Sequence, residues 1–195
     1  MRTITLLENQ VLWIGRHGNC MPAEIDSERT LSQQGISDTK KVSQKLKATG
    51  FGMIPKRDLG FAKHMRVAEI SSPARRVLQT SELLSLGTSM PFVYDDLYNF
   101  EQFPRVEELY QNKVTDPNAY LNANKREVFS FQERLAKKLE DNGFMNIQFI
   151  SIISHAIISN FIAMMFTDDQ IVFNTMLPES AGFLITKDHC QLITA

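Results

Sequence analysis

The hydrophobic positions of this chain fall into short apolar runs separated by segments of helical spacing. Val11 to Gly15 is apolar and reads as a buried strand, followed by a polar, sharply turning stretch from Asn19 to Ser32. Ser32-Gln33-Gln34-Gly35 opens a helix running to about Ala48, with Val42 and Leu46 on one face, and Gly50 and Gly52 end it. Phe51 to Met65 contains Pro55, Gly60 and a charge cluster and reads as a loop. Val67 to Ser71 is a second strand, Pro73 stands where a helix can start, and Val77 to Leu84 has helical spacing. Phe92 to Tyr94 is a third strand candidate. Asp95 to Asn124 is ambiguous, with short helices expected around Val106 to Tyr110.

The clearest helix is Glu127 to Asn142, where Val128, Phe131, Leu135 and Leu139 form a stripe that Gly143 closes. Ile147 to Ile153 is nearly all apolar, as suits a central strand buried on both faces. His155 and a helix from Ile157 to Met165 follow; Phe183 to Thr186 and Leu192 to Thr194 are closing strands with Asp188 in the turn. Strands alternating with helices predict an α/β fold: a three-layer α/β/α sandwich on a mostly parallel central sheet. The length of 195 residues fits a single domain spanning 1–195. In such sheets ligands sit beyond the carboxyl ends of the strands. That rule gathers Arg16-His17, Ser72-Pro73-Ala74-Arg75-Arg76 and His155 at one edge.

Composition narrows the partners. Apolar residues make up 43% and charged residues 22%, and the net charge is -1, which points to neither a nucleic-acid nor a membrane surface. The two cysteines, Cys20 and Cys190, form no disulfide framework and suit a reducing compartment. The first ten residues are too polar for a signal peptide. The apolar stretch from Phe149 to Phe166 is broken by Ser151, Ser154, His155, Ser159 and Asn160, so it fails as a membrane span. A cytoplasmic, soluble protein is expected.

Two guanidinium groups converging on one pocket suggest a phosphate or carboxylate ligand, since each binds such an anion bidentately. A neutral imidazole can attack phosphorus, and a second, protonated one would add positive charge to the transferring phosphoryl group. Cationic side chains would then supply the stabilisation that a metal supplies elsewhere, so neither metal nor cofactor is called for.

Arg16-His17-Gly18 after a strand resembles the signature of the histidine phosphatase superfamily, the phosphoglycerate mutase-like proteins. Ser71-Ser72-Pro73-Ala74-Arg75-Arg76-Val77-Leu78-Gln79-Thr80 resembles its second block, with Arg76 at the matching arginine and Arg75 at a variable position. Ile152-Ile153-Ser154-His155 resembles the third. Asp26-Ser27-Glu28-Arg29-Thr30-Leu31-Ser32-Gln33-Gln34-Gly35 looks like a stretch common in the SixA-type phosphohistidine phosphatases. The resemblance runs from Val11 to about Thr186. It implies that His17 is the nucleophile, that Arg16, Arg76 and His155 hold the phosphoryl oxygens, and that Gly18 lets the chain turn tightly. Backbone N–H groups near Gly18 and His155 would add donors, and Asn19 and Arg29 would contact substrate. The partner would be a phosphohistidine protein or a phosphorylated small molecule.

The chain departs from that family at the proton donor. Asn99 and Ala156 stand at the two usual acidic positions, leaving Glu101, Glu107 or Asp96 as substitutes. A missing strong acid suits a good leaving group such as the imidazole of phosphohistidine, and argues against mutase chemistry. A broad phosphomonoesterase, or a weakly active phosphate-binding or interaction module, are the alternatives. Elsewhere simpler readings hold. Arg75 is expected in solvent, Arg29 either caps the pocket or pairs with Glu28, and His64 is exposed. His189 and Cys190 lie in a loop turn, and Met164-Met165 is core. Cys20 is no thiol-phosphatase nucleophile, because Asp26 stands where that loop needs arginine.

Overall fold

The structure, a computed structural model, describes residues 4–51, 67–84 and 91–195. Six strands form one sheet: β1 (Val11–Arg16), β2 (Val67–Ser71), β3 (Phe92–Val93), β4 (Phe149–Ser154), β5 (Gly182–Ile185) and β6 (Cys190–Ile193), in the order β3-β2-β4-β1-β5-β6. From β3 to β1 neighbouring strands run parallel, whereas β5 is antiparallel to β1 and β6 to β5. The sheet is therefore mixed, with the closing hairpin on one side.

Helices cover both faces. On one lie α1 (Gln33–Ala48) and α2 (Arg75–Leu84), where Val42, Leu46, Val77 and Leu84 pack on Trp13, Phe149, Ile153 and Leu184. On the other lie α3 (Val106–Gln111), α4 (Pro117–Ala123), α5 (Lys125–Asp141), α6 (Ala156–Ala163) and α7 (Gln170–Asn174). There Val128, Phe131, Leu135, Leu139, Ile158 and Phe161 meet Leu12, Ile14, Ile150 and Ile152. Alternate residues of one strand thus enter opposite cores, which is why β4 is mostly apolar and is buried at every position, Ser151 and Ser154 included. Met164 and Met165 are both fully buried.

Local chemistry sets the boundaries. Ser32 caps α1 by accepting from the Gly35 N–H at 3.0 Å. Gly50 and Gly143 adopt positive φ, 83° and 70°, just beyond α1 and α5, a conformation glycine takes without steric cost. The sequence reading missed α4 and α7. Both are too short for a periodic signal, but each has a cap: Asp116 accepts from Asn118 N with Pro117 at the first turn, and Asp169 accepts from Ile171 N. The segment expected as a strand to Tyr94 ends at Val93, and the helix expected to reach Met165 ends at Ala163. Apart from Phe51, the expected loop to Met65 lies outside the described residues, as does His64. Among the described residues no helix is long and apolar enough to cross a membrane.

Candidate functional site

The parallel register brings the chemistry to one edge. Arg16 lies opposite Ser154 and Ser71 opposite Ile153, so β1, β4 and β2 end almost flush. Their backbones stay paired one residue further: His17 N–H donates to Ser154 O at 3.1 Å and Ser72 N–H to Ile153 O at 3.1 Å. His17, Ser72 and His155 therefore emerge side by side, and α2 carries Arg76 across them. The two imidazole centroids are 5.0 Å apart.

His17 is 6% exposed. Its Nδ1 lies 2.7 Å from Gly18 O, an acceptor only, so Nδ1 carries the proton. Nε2 is then an open lone pair, and it receives the Arg76 Nε–H at 3.3 Å. Burial pushes the imidazole down to about 3; the Gly18 hydrogen bond opposes this, and Arg16, Arg76 and Arg29 add to it. His155 has the opposite tautomer. Its Nδ1 accepts from Arg76 Nη2 at 3.4 Å, leaving Nε2–H to donate to Ser72 Oγ at 3.0 Å. Burial first, then the charges of His17 and Arg76, hold it well below the ordinary histidine range. In the free site both histidines are therefore neutral near pH 7, chiefly through burial, with the neighbouring guanidinium charges adding to it. Tyr98 and Phe100 close over the His155 ring at 5.4 and 5.3 Å.

Arg76 is 4% exposed and is the hub. Besides both histidines it reaches Asp26, donating from Nη2 to Oδ2 at 2.8 Å and from Nη1 to the backbone carbonyl. Arg16 donates to Leu177 O at 2.9 Å and lies 3.6 Å from Glu179, while its buried Nε has no partner among the described residues. Asn160 fixes that arrangement from α6. Its amide donates to Val172 O and Thr175 O and accepts from Leu177 N–H. All these groups line or underlie a cleft of about 840 Å³ whose walls include Phe100, Val106, Tyr110, Tyr120, Ile157 and Met176.

The other expected residues are placed as follows. Arg29 lines the cleft and pairs with Asp26 at 3.2 Å, not with Glu28. Gly18 is buried behind His17 and its N–H is taken by Thr80 Oγ1 at 3.1 Å, so it is not free to donate to a substrate. Nor does Gly18 adopt a left-handed turn. What it supplies is space, since an added Cβ would lie 2.9 Å from both Thr39 and Ser180. Asn19 is exposed and does not itself line the cleft, but its amide donates at 2.8 Å to Glu179, which does. Of the substitute donors, Glu107 lines the cleft, while Asp96 is bound to Arg134 at 2.9 Å and Glu101 does not line it. Arg75 and His189 are exposed, and Cys20 lines the cleft as a free thiol. Among the described residues no group of three or more His, Cys, Asp and Glu is arranged to hold a metal ion.

Sequence reasoning missed Asp26, Ser72 and Tyr98 as site residues. Asp26 carried a signal, an acid three residues before Arg29 in a turn; Tyr98, reached through an irregular segment, carried none.

No protein-family model and no curated protein matches the chain. Solved structures do. The protein histidine phosphatase SixA, solved with tungstate, is 17% identical with a TM-score of 0.57, over 94% of each chain. A phosphoserine phosphatase from Entamoeba histolytica, in complex with 3-phosphoglyceric acid, is 15% identical with a TM-score of 0.55, over 95% of this chain and 94% of that one. A phosphoglycerate mutase from Bacillus anthracis is 14% identical with a TM-score of 0.53, over 95% of this chain and 92% of that one. The fold is phosphoglycerate mutase-like.

Proposed function

We propose that this chain is a phosphohydrolase working through phosphorylation of His17, with phosphohistidine as its preferred substrate class. The observation that carries the reading is the tautomer of His17: Nδ1 is tied to Gly18 O and Nε2 is presented, unprotonated, to the Arg76 side of the cleft. Nε2 attacks phosphorus, the bond to the leaving group breaks, and water then attacks phospho-His17 to release inorganic phosphate and restore the imidazole. Arg76 and Arg16 hold the phosphoryl oxygens as charge builds on them. The incoming anion would raise both histidines from their depressed values, letting His155 become the cationic partner. Asn99 and Ala156, where an acid is usual, favour a leaving group as good as imidazole. The wide apolar cleft favours a second reading, a phosphomonoesterase for esters bearing a sizeable apolar group, with Glu107 among the acids that line it.

The test is phosphate release from a phosphohistidine protein and from para-nitrophenyl phosphate, with EDTA present, for wild type and His17→Ala. Release that survives EDTA and vanishes in the variant is expected, and the ratio of rates chooses between the readings. Equal release by wild type and variant would overturn the mechanism.

A further inference from the structure

We infer that Asp26 is a displaceable occupant of the phosphoryl site that takes up a proton on displacement and delivers it to the leaving group. This rests on the phosphohydrolase reading and supplies its missing acid.

The geometry begins with the cations. The Asp26 carboxylate accepts from Arg76 Nη2 at 2.8 Å and Tyr98 OH at 3.0 Å through Oδ2, and from Arg29 Nη1 at 3.2 Å through Oδ1. The same Arg76 nitrogen lies 3.4 Å from His155 Nδ1, and Arg76 Nε lies 3.3 Å from His17 Nε2. A phosphoryl group seated between the two histidines must take donors from that guanidinium, and Nη2 is the one it shares with Asp26. One carboxylate oxygen thus stands where a phosphoryl oxygen has to bind.

The two anions compete for the same cations, and the carboxylate is the one able to leave. Its side chain is 52% exposed at the mouth, against 4% for Arg76. The groups facing Asp26 are Arg76 from α2, Arg29 from its own turn, and Tyr98 and His155 from across the cleft. Partial burial alone would raise the carboxyl, but the hydrogen bond and charge of Arg76, with donors from Arg29 and Tyr98, hold it down at about 2. Once the phosphoryl group takes over Arg76, that hold is lost and a neighbouring negative charge replaces it. Both changes favour the protonated carboxyl. The leaving group lies opposite His17 Nε2, hence toward the mouth where Asp26 stands. As Nε2 bonds to phosphorus and the bond to the leaving oxygen breaks, the Asp26 proton passes to that oxygen. The carboxylate then takes a proton from the water that attacks phospho-His17. Esters are thereby opened to an enzyme with no acid at positions 99 and 156.

The experiment is calorimetric titration of the full chain with inorganic phosphate near pH 6, in buffers of different ionisation enthalpy, for wild type, Asp26→Asn and Asp26→Ala. Phosphate release from phenyl and para-nitrophenyl phosphate is measured in parallel. Both variants are expected to bind phosphate about tenfold more tightly, since the competitor is gone, and to lose the proton uptake that accompanies wild-type binding. Because His155 also takes up a proton when the anion binds, the loss is read as about one proton fewer per phosphate than wild type. The variants are also expected to lose about 10²-fold in rate on phenyl phosphate, the poorer leaving group, and much less on para-nitrophenyl phosphate. Unchanged or weaker phosphate binding in both variants, with the same proton uptake, would overturn the role of Asp26 and leave the phosphohydrolase reading standing. Failure of all three proteins to bind phosphate or release it would overturn that reading, and the role of Asp26 with it.

Discussion

Replacing Arg76 by lysine separates charge from geometry at the hub of the site. Arg76 aims Nε at His17 Nε2 from 3.3 Å and Nη2 at His155 Nδ1 from 3.4 Å, so two donors of one rigid fork point at the place where the phosphoryl oxygens would lie. Lysine keeps the positive charge but offers a flexible point donor that cannot reach both places. Losing one preorganised donor to a developing oxyanion costs on the order of 10²–10³ in rate, about 3 kcal/mol. Arg76→Lys should therefore lower kcat by that factor. Arg76→Ala, which loses both donors and the charge, should lower it by roughly 10⁴, short of full additivity because the histidines and arginines act together. Stability should change little. Asp26, its ion-pair partner, is half-exposed and can rehydrate, and both histidines remain neutral, so Tm should move by less than about 4 °C, equivalent to roughly 1 kcal/mol. The assay is steady-state release of para-nitrophenol at saturating substrate, beside a thermal melt of each variant. A lysine variant that melts normally and keeps kcat within tenfold of wild type would refute the reasoning, since charge alone would then suffice.

Acid should destabilise the protein through its histidines. Folded His17 titrates at about 3 and His155 well below its ordinary value, whereas unfolded histidine titrates near 6.5. Between those limits the unfolded chain binds more protons, so unfolding free energy rises with pH at up to about 1.4 kcal/mol per pH unit for each histidine and levels off above about pH 7; urea midpoints at pH 4.5 and 7.5 should differ accordingly, and less for His17→Asn. In Gly35→Ala, helix propensity alone promises a gain of up to about 1 kcal/mol, but the new Cβ would lie 2.1 Å from Asn19 O. The clash should win, lowering stability by about 1–3 kcal/mol in a denaturant titration and slowing phosphate release by shifting the loop behind His17. Leu135→Ala empties a fully buried position and should cost about 2–5 kcal/mol, seen as a Tm drop of roughly 4–20 °C with activity per folded molecule unchanged.

The gathering of Arg16, His17, Arg76 and His155 at one edge was legible because a parallel sheet converts sequence order into position. A strand that stops at Arg16, another at Ser71 and a third at Ser154 must end at the same edge, whatever separates them along the chain. Their electrostatic state was not legible. It depends on how many cations share the buried floor, and Arg29 and the orientation of Arg76 come from a turn and a helix whose placement no periodicity records. Glu179 is a still longer reach: it meets Arg16 and Asn19 across some 160 residues, from an irregular segment that follows α7. Gly18 shows the limit differently. The sequence suggested a tight turn there, whereas what the glycine supplies is space beside Thr39 and Ser180, a fact about packing between elements and not about the local turn.

A protein of net charge -1 carries a cleft floor with three arginines, and each comes already paired: Arg76 and Arg29 with Asp26, Arg16 with Glu179. A buried guanidinium left unpaired would weigh heavily against folding, so the carboxylates let the cations wait in place. They also change what binding means. An incoming anion exchanges one set of hydrogen bonds for another, and its affinity is the difference between two ion-pair arrangements, not the sum of new contacts. For the phosphoryl transfer proposed above, that difference would be greatest as the group approaches transfer, when charge accumulates on oxygens that a carboxylate cannot imitate, and least for free phosphate about to leave. On the proposed mechanism, such a site would hold its transition state harder than its product, with Asp26, exposed at the mouth, as the carboxylate that returns to Arg76.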